Sequence, residues 1–162
     1  MFVVDTNVLL YAADLDSPDH DKCASLVAQW RMQDIPWYLT WGIVYEFARV
    51  VTHPKVFRKP WPVTEAGRFL QTLLNSPSIG ILLETDRHMS VAAEVFLELP
   101  GVSGNLVFDA HTAILMKEHG IRRIYTRDAG FNRFPFVDVI DPLSGRGRTT
   151  IRERRRARLG AT

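Results

Sequence analysis

Residues 1–14 read MFVVDTNVLLYAAD, and this opening decides the fold class. Phe2-Val3-Val4 is a short apolar run that stops at Asp5, and Asn7 to Ala13 continues with helix-compatible residues, so the stretch predicts strand, cap, helix. The same alternation recurs downstream. Ser17-Pro18 is a helix-start signal, with Ser17 as N-cap and the helix reaching about Gln33. Trp37 to Thr40 predicts a strand, followed by a helix from about Trp41 to Thr52 with apolar residues at 43, 44, 47, 50 and 51. A helix near Val63 to Asn75, a strand at Gly80 to Leu83 and a helix from an Asp86 cap to about Leu99 come next. Asn105 then caps a helix to about His119, stopped by Gly120. Ile121 to Thr126 predicts a strand, Asp128 to Gly130 a turn, and Phe136 to Ile140 a last strand. Short apolar strands alternating with helices imply parallel strands joined by crossover helices, hence an α/β fold of three layers. In open sheets of this kind ligands collect at the carboxyl ends of the strands, so polar residues directly after each strand carry the functional interest.

The 162 residues are 46% hydrophobic and 23% charged, which suits one globular body with its own core. The longest apolar runs, Val8 to Ala13 and Ile79 to Leu83, fall far short of the roughly 20 residues that cross a bilayer, so no transmembrane helix is expected. A start without a basic leader and a single cysteine, Cys23, point to a reducing cytoplasm. The net charge of +2 is unevenly spread: residues 146–158, RGRTTIRERRRAR, hold seven Arg and one Glu, leaving 13 basic and 17 acidic residues in 1–145. The division is therefore a body, 1–143, and an arginine-rich tail, 144–162. Such a run is either a solvated end or an arm that grips polyanions through their phosphates.

Several chemistries lack their residues. No G-x-x-x-x-G-K-[ST] or G-x-G-x-x-G occurs, the segment around Ser103 lacks the second glycine of a nucleophile elbow, and the five histidines form no zinc spacing. Acids in unusual places are the stronger signal. Asp5 ends the first strand, though it or Thr6 could simply cap the next helix. Glu46 lies beside the apolar stripe of its helix, where an i,i+3 pair with Arg49 is the plain alternative. Asp109 follows Leu106 by three on the inward-looking side of its helix, with no base at 105, 106, 112 or 113. Asp128 comes two residues after a strand and could be an ordinary turn aspartate. If the four converge, mutual repulsion would protonate some of them unless a cation were present, and an all-oxygen set suits Mg²⁺ or Mn²⁺.

Four segments, VVDTNVLLYA, WGIVYEFARVVTHP, NLVFDAHTAIL and IYTRDAGFNRF, occur in this order over residues 1–143. Together they resemble the motifs of PIN-domain proteins, and closely those of the VapC-type toxins of toxin–antitoxin pairs. The resemblance implies a parallel sheet of about five strands and a Mg²⁺- or Mn²⁺-dependent endoribonuclease. It implies an acidic, metal-holding site at Asp5, Glu46, Asp109 and Asp128, supported by Thr126 and by Thr6 or Asn7, and a small antitoxin and a homodimer as partners. Some family members carry a further acid just after the fourth motif aspartate, where this chain has Ala129 and Gly130. The stretch HPKVFRKPW interleaves Lys55, Arg58 and Lys59 with Phe57 and Trp61, which could hold RNA phosphates and stack a base or could pack as a Pro-fixed loop. An RNA-processing nuclease without a toxin role and a non-catalytic RNA-binding module are the rival readings.

Overall fold

A computed structural model describes residues 1–144. The arginine-rich stretch 146–158 lies outside the described residues. Five strands, β1 (Phe2–Val4), β2 (Trp37–Thr40), β3 (Ile79–Leu82), β4 (Arg123–Tyr125) and β5 (Asp138–Ile140), alternate with six helices. These are α1 (Thr6–Ala13), α2 (His20–Met32), α3 (Trp41–Val51), α4 (Val63–Leu74), α5 (His88–Glu98) and α6 (Leu106–Glu118), with a 3₁₀ helix at Ala129–Arg133.

The sheet is parallel throughout, in the order β3-β2-β1-β4-β5. β1 is central and all three of its residues are buried, as expected of a strand covered on both faces in a three-layer α/β sandwich. Phe2, Trp30, Trp37 and Tyr125 pack edge and face against one another on one side of it. The chain leaves β1 toward β2 on one side, whereas β4 adds on the other, with Val4 in register with Tyr125. The order therefore reverses between β1 and β4, and the crevice at their carboxyl ends is where an open α/β sheet presents its ligand.

Two helix starts differ from expectation because other groups engage the residues expected to cap them. α2 begins at His20, since Ser17 is used in the preceding turn, its Oγ accepting from Asp19 N (3.2 Å) and its carbonyl from His20 N (3.1 Å). α5 begins at His88, and Thr85 Oγ1 rather than Asp86 receives the Arg87 amide (3.2 Å). Thr85 is itself held by Glu118, which is buried, bonds His88 Nδ1 at 2.6 Å and so ties α5 to the end of α6. Asn105 is the N-cap of α6 as expected, though its side chain makes no capping bond. Beyond β4 the expected turn is a 3₁₀ helix, because Phe131 and Phe134, each 1% exposed, are drawn into the core.

Candidate active site

The four acids reach the carboxyl edge of the sheet from four elements. Asp5 is the N-cap of α1, Glu46 lies on α3, Asp109 in the first turn of α6 and Asp128 is the N-cap of the 3₁₀ helix. A helix that follows one strand or precedes the next starts at this edge, so its positive N-terminal end offsets part of the repulsion among the carboxylates.

Asp5 is 8% exposed and its carboxylate accepts three hydrogen bonds. Oδ1 takes Thr6 N (2.7 Å), and Oδ2 takes Asn7 Nδ2 (2.6 Å) and Thr126 Oγ1 (2.6 Å). Its role as a cap and its place at the site thus coexist. The buried Thr126 hydroxyl is a hub, since it donates to Asp5 while accepting from Asn7 Nδ2 (2.8 Å) and Asp128 N (2.9 Å). A hydroxyl has one proton to donate and two lone pairs, so it is fully used. Glu46 is bound from both sides: Thr6 Oγ1 donates to its Oε2 (2.8 Å), and Arg49, the partner expected at i,i+3, stands 3.6 Å from Oε1. Asp109 is half-buried and has no hydrogen bond or ion pair among the described residues.

The protonation equilibria register the crowding. Burial raises Asp5 to about 6, opposed by the hydrogen bonds from Thr126 and Thr6 and reinforced by the charges of Glu46 and Asp128. Burial raises Asp109 to about 7, and Asp128, Asp5 and Glu46 add to it in that order. Each of the four acids sequence reasoning singled out is thus electrostatically coupled to others in the set. Among the described residues no three His, Cys, Asp or Glu side chains close up as a group able to hold one ion directly. The donor set still fits Mg²⁺ or Mn²⁺: every donor is oxygen, and Mg²⁺ commonly binds one or two carboxylates directly and keeps several waters, which reach the others. Among the described residues, nothing bonds to one lone pair of Asp5 Oδ1 or to either oxygen of Asp109, which leaves them for that purpose.

Two residues that the sequence did not single out as useful shape this site. Gly130, noted only as the place where a further acid is missing, donates its amide to Asp128 Oδ1 (2.6 Å). A Cβ there would stand 3.0 Å from Asp128 Oδ1 and 3.5 Å from Asp109 Oδ2, so the bare backbone lets the two carboxylates approach. Gly130→Ala is therefore expected to lower whatever activity the four acids support about tenfold or more, because small misplacements of reacting groups are costly. The exposed Gly67→Ala, with nothing within 4 Å, should leave it unchanged. Arg127 spans the rim, pairing Asp19 (2.9 Å) and approaching Asp141 (3.9 Å). No local pattern marks it, since its partners lie far away in sequence.

The loop after α3 departs from the RNA-stacking reading. Phe57 is buried, and Trp61 is half-buried with its ring edge against Phe47, Phe57 and Phe69, so both aromatics pack on the body. Lys59 pairs with Asp16 at 3.0 Å, while Lys55 and Arg58 are exposed.

A central parallel sheet whose order reverses over a set of acids defines a class, and the PIN domain matches residues 2–137. The chain belongs to the PIN-domain family, and within it to the VapC-type proteins. It is 33% identical to Ribonuclease VapC48 of Mycobacterium tuberculosis over 141 residues, covering 87% of this chain and 97% of that protein. Among solved structures it resembles Mycobacterium tuberculosis VapC20, a sarcin-ricin loop cleaving toxin, with a TM-score of 0.60 and 17% identity over 85% of this chain and 97% of that one. It also resembles Rickettsia felis VapBC2 bound to a DNA fragment from its promoter, with a TM-score of 0.59 and 16% identity over 85% and 96% of the two chains. No helix among the described residues is long and apolar enough to cross a membrane.

Proposed function

We propose that this chain is a Mg²⁺- or Mn²⁺-dependent endoribonuclease, the toxin of a VapBC-type pair, hydrolysing RNA phosphodiesters in the cytoplasm. The observation that carries this reading is the coupling of Asp5, Glu46, Asp109 and Asp128 at the β1/β4 crevice, where two carboxyls are driven up to about 6 and about 7 and, among the described residues, no cation pairs with Asp109. The kinship to Ribonuclease VapC48 supports the choice of RNA as substrate.

Asp5, Asp109 and Asp128 would hold the metal, with Glu46 as a further ligand or as the group that orients the attacking water. When bound, the ion supplies charge neutralisation at the scissile phosphate and a lower pKa for that water. Thr126 and Asn7 fix the Asp5 carboxylate by donating to it, and Thr6 fixes Glu46 in the same way. Glu46, with Arg49 3.6 Å from its outer oxygen, stands on the exposed rim where it could orient the attacking water. Attack by water leaves a 5′-phosphate and a 3′-hydroxyl.

The partner proposed is a small antitoxin, in keeping with the VapBC complex among the structural neighbours, and the chain is proposed to form a homodimer. A basic side chain of the antitoxin entering among the carboxylates would replace the metal's charge. The test is purification with a candidate antitoxin, followed by its removal. Cleavage should appear only after removal, and should stop with EDTA and return with Mg²⁺ or Mn²⁺. Activity in EDTA defeats the metal requirement, and full activity with harmless expression of the lone chain defeats the toxin role.

A further inference from the structure

We infer that His111, set by Glu84, tells RNA from DNA at the acidic centre, its Nδ1 accepting a hydrogen bond from a ribose 2′-hydroxyl beside the cleaved phosphate. The inference rests on the ribonuclease reading and deepens it by naming the group of the substrate that is recognised. Glu84 comes two residues after β3, on the edge where Asp5 follows β1, and the four acids leave it unused. Its carboxylate stands 3.1 Å from His111 Nε2, and the His111 ring packs edge to face on that of His88 at 5.5 Å. His88 is itself fixed, with its Nδ1 2.6 Å from the buried Glu118. The imidazole of His111 is thus oriented from two sides. Glu84's own backbone amide and then His111 hold the Glu84 carboxyl below the ordinary carboxylate range, so it can only accept. Nε2 therefore carries the proton of that bond, and in the neutral ring Nδ1 presents a lone pair. Among the described residues nothing bonds to this Nδ1.

The surroundings of Nδ1 put it beside the acids. His111 lies two residues beyond Asp109 on α6, and its Nδ1 is 4.0 Å from the position a Cβ would take on Gly42 of α3. Gly42 precedes Glu46 by one helical turn, roughly 6 Å along α3. His111 therefore bridges the two helices that carry Asp109 and Glu46, at a reach comparable with that from a phosphate to the 2′-hydroxyl of an adjoining ribose. Gly42 is exposed and has no side chain of its own to fill the space beside Nδ1. A latch between the β3–α5 connection and α6 would need only the bond from Nε2 to Glu84, and gives no use to an open acceptor next to four acids. Nor does a phosphate, which in either nucleic acid offers only acceptors. Within the sugar–phosphate backbone the 2′-hydroxyl is the group that can donate to a lone pair, and RNA alone carries it.

The experiment compares the full-length wild type with His111→Ala and Glu84→Gln at about pH 8. The probe is one labelled single strand of mixed sequence, made in ribose, 2′-deoxyribose and 2′-fluoro forms. Affinity is measured in EDTA, and kcat/KM for cleavage in Mn²⁺. The wild type should prefer the ribose strand about five- to tenfold, the worth of one hydrogen bond, and should treat the 2′-fluoro strand, which cannot donate, like the deoxy strand. His111→Ala should erase the preference by weakening the ribose strand alone. Glu84→Gln, whose amide can donate to the ring as well as accept from it, should reduce the preference to about two- to threefold, and it decides the matter if His111→Ala does not fold. A wild type without ribose preference in either readout overturns the inference, as does a preference that these substitutions leave unchanged. Equal losses on all three strands overturn it by showing His111 to be a structural contact. A 2′-fluoro strand bound as tightly as ribose overturns it too, because the ring would then be donating. A ribose preference that His111→Ala abolishes, in a chain that cuts no strand with any divalent metal, supports the recognition of ribose and defeats the ribonuclease reading.

Discussion

Asp109→Asn is expected to lower RNA cleavage about a hundredfold or more, while raising the melting temperature of the metal-free protein. The first half follows from charge: Asn keeps the shape but cannot supply an anionic ligand, and even losing a group behind a ligand commonly costs ten- to a hundredfold in metal affinity or activity. The second half follows from linkage. Asp109 moves from an ordinary 3.8 to about 7 on folding, raised by burial and then by Asp128, Asp5 and Glu46. An acid whose native pKa lies above its unfolded one binds more proton in the native state across that interval, so stability falls as pH rises from about 4 through about 7, and the full cost persists above it. Removing the carboxylate removes the cost. At pH 8 in EDTA the gain should be about 1 kcal/mol after allowance for screening at a half-exposed position, or roughly 2–4 °C. The wild type in EDTA should melt higher at pH 5 than at pH 8, a difference the variant reduces, and added Mn²⁺ should stabilise the wild type more than the variant. A variant that melts well below the wild type in EDTA and still cuts RNA would show Asp109 to be a structural residue.

Thr126→Val is expected to damage stability and activity together, with activity recovering at alkaline pH. Valine fills the same space in a site that is 0% exposed, so packing is conserved and only the hydroxyl is lost. That hydroxyl donates to Asp5 and accepts from Asn7 and Asp128 N, and its loss strands buried polar groups at about 1–3 kcal/mol. Among the hydrogen bonds that lower the Asp5 pKa, that of Thr126 ranks first, so without it the group, already about 6, titrates higher. Less of it is then ionised at neutral pH, metal binding weakens, and cleavage near pH 7 should fall about tenfold or more. Raising the pH to about 9 should restore most of the loss, because Asp5 is ionised again. A pH–rate profile of unchanged shape would remove Asp5 from the reaction.

Some of this arrangement was legible without coordinates. Asp5 stood out because an apolar run stops at it, and the α/β alternation puts such a stop at a ligand-bearing edge. Glu46 and Asp109 stood out because a carboxylate beside an apolar stripe is unusual. The expected i,i+3 partner of Glu46 is present, yet the Thr6 bond that ties it to Asp5 comes from a residue 40 positions away. Cap residues misled where distant groups compete: Asp86 looks like an N-cap, but Glu118 holds Thr85 where its hydroxyl takes the helix-starting amide. Trp61 read as a possible base platform, and the aromatic cluster of Phe47, Phe57 and Phe69 claims it instead. Gly130 carried no positive signal, since its importance is the absence of a Cβ between two carboxylates that meet only in the folded chain.

The sequence by itself determined the α/β class, the position of each element to within a few residues and the four acids, because hydrophobic period and turn chemistry are local properties of the chain. Tertiary structure decided the strand order β3-β2-β1-β4-β5, and with it the meeting of Asn7 and Thr126, 119 residues apart, on one carboxylate. Parallel strands are joined through the long crossovers that separate them, so which strand lies beside β1 is selected by burial of both its faces in the assembled sheet. The electrostatics follow from that choice. Whether an aspartate is an ordinary cap or a carboxyl raised to about 7 depends on how much water remains around it and which charges face it, and both exist only once the four elements share an edge.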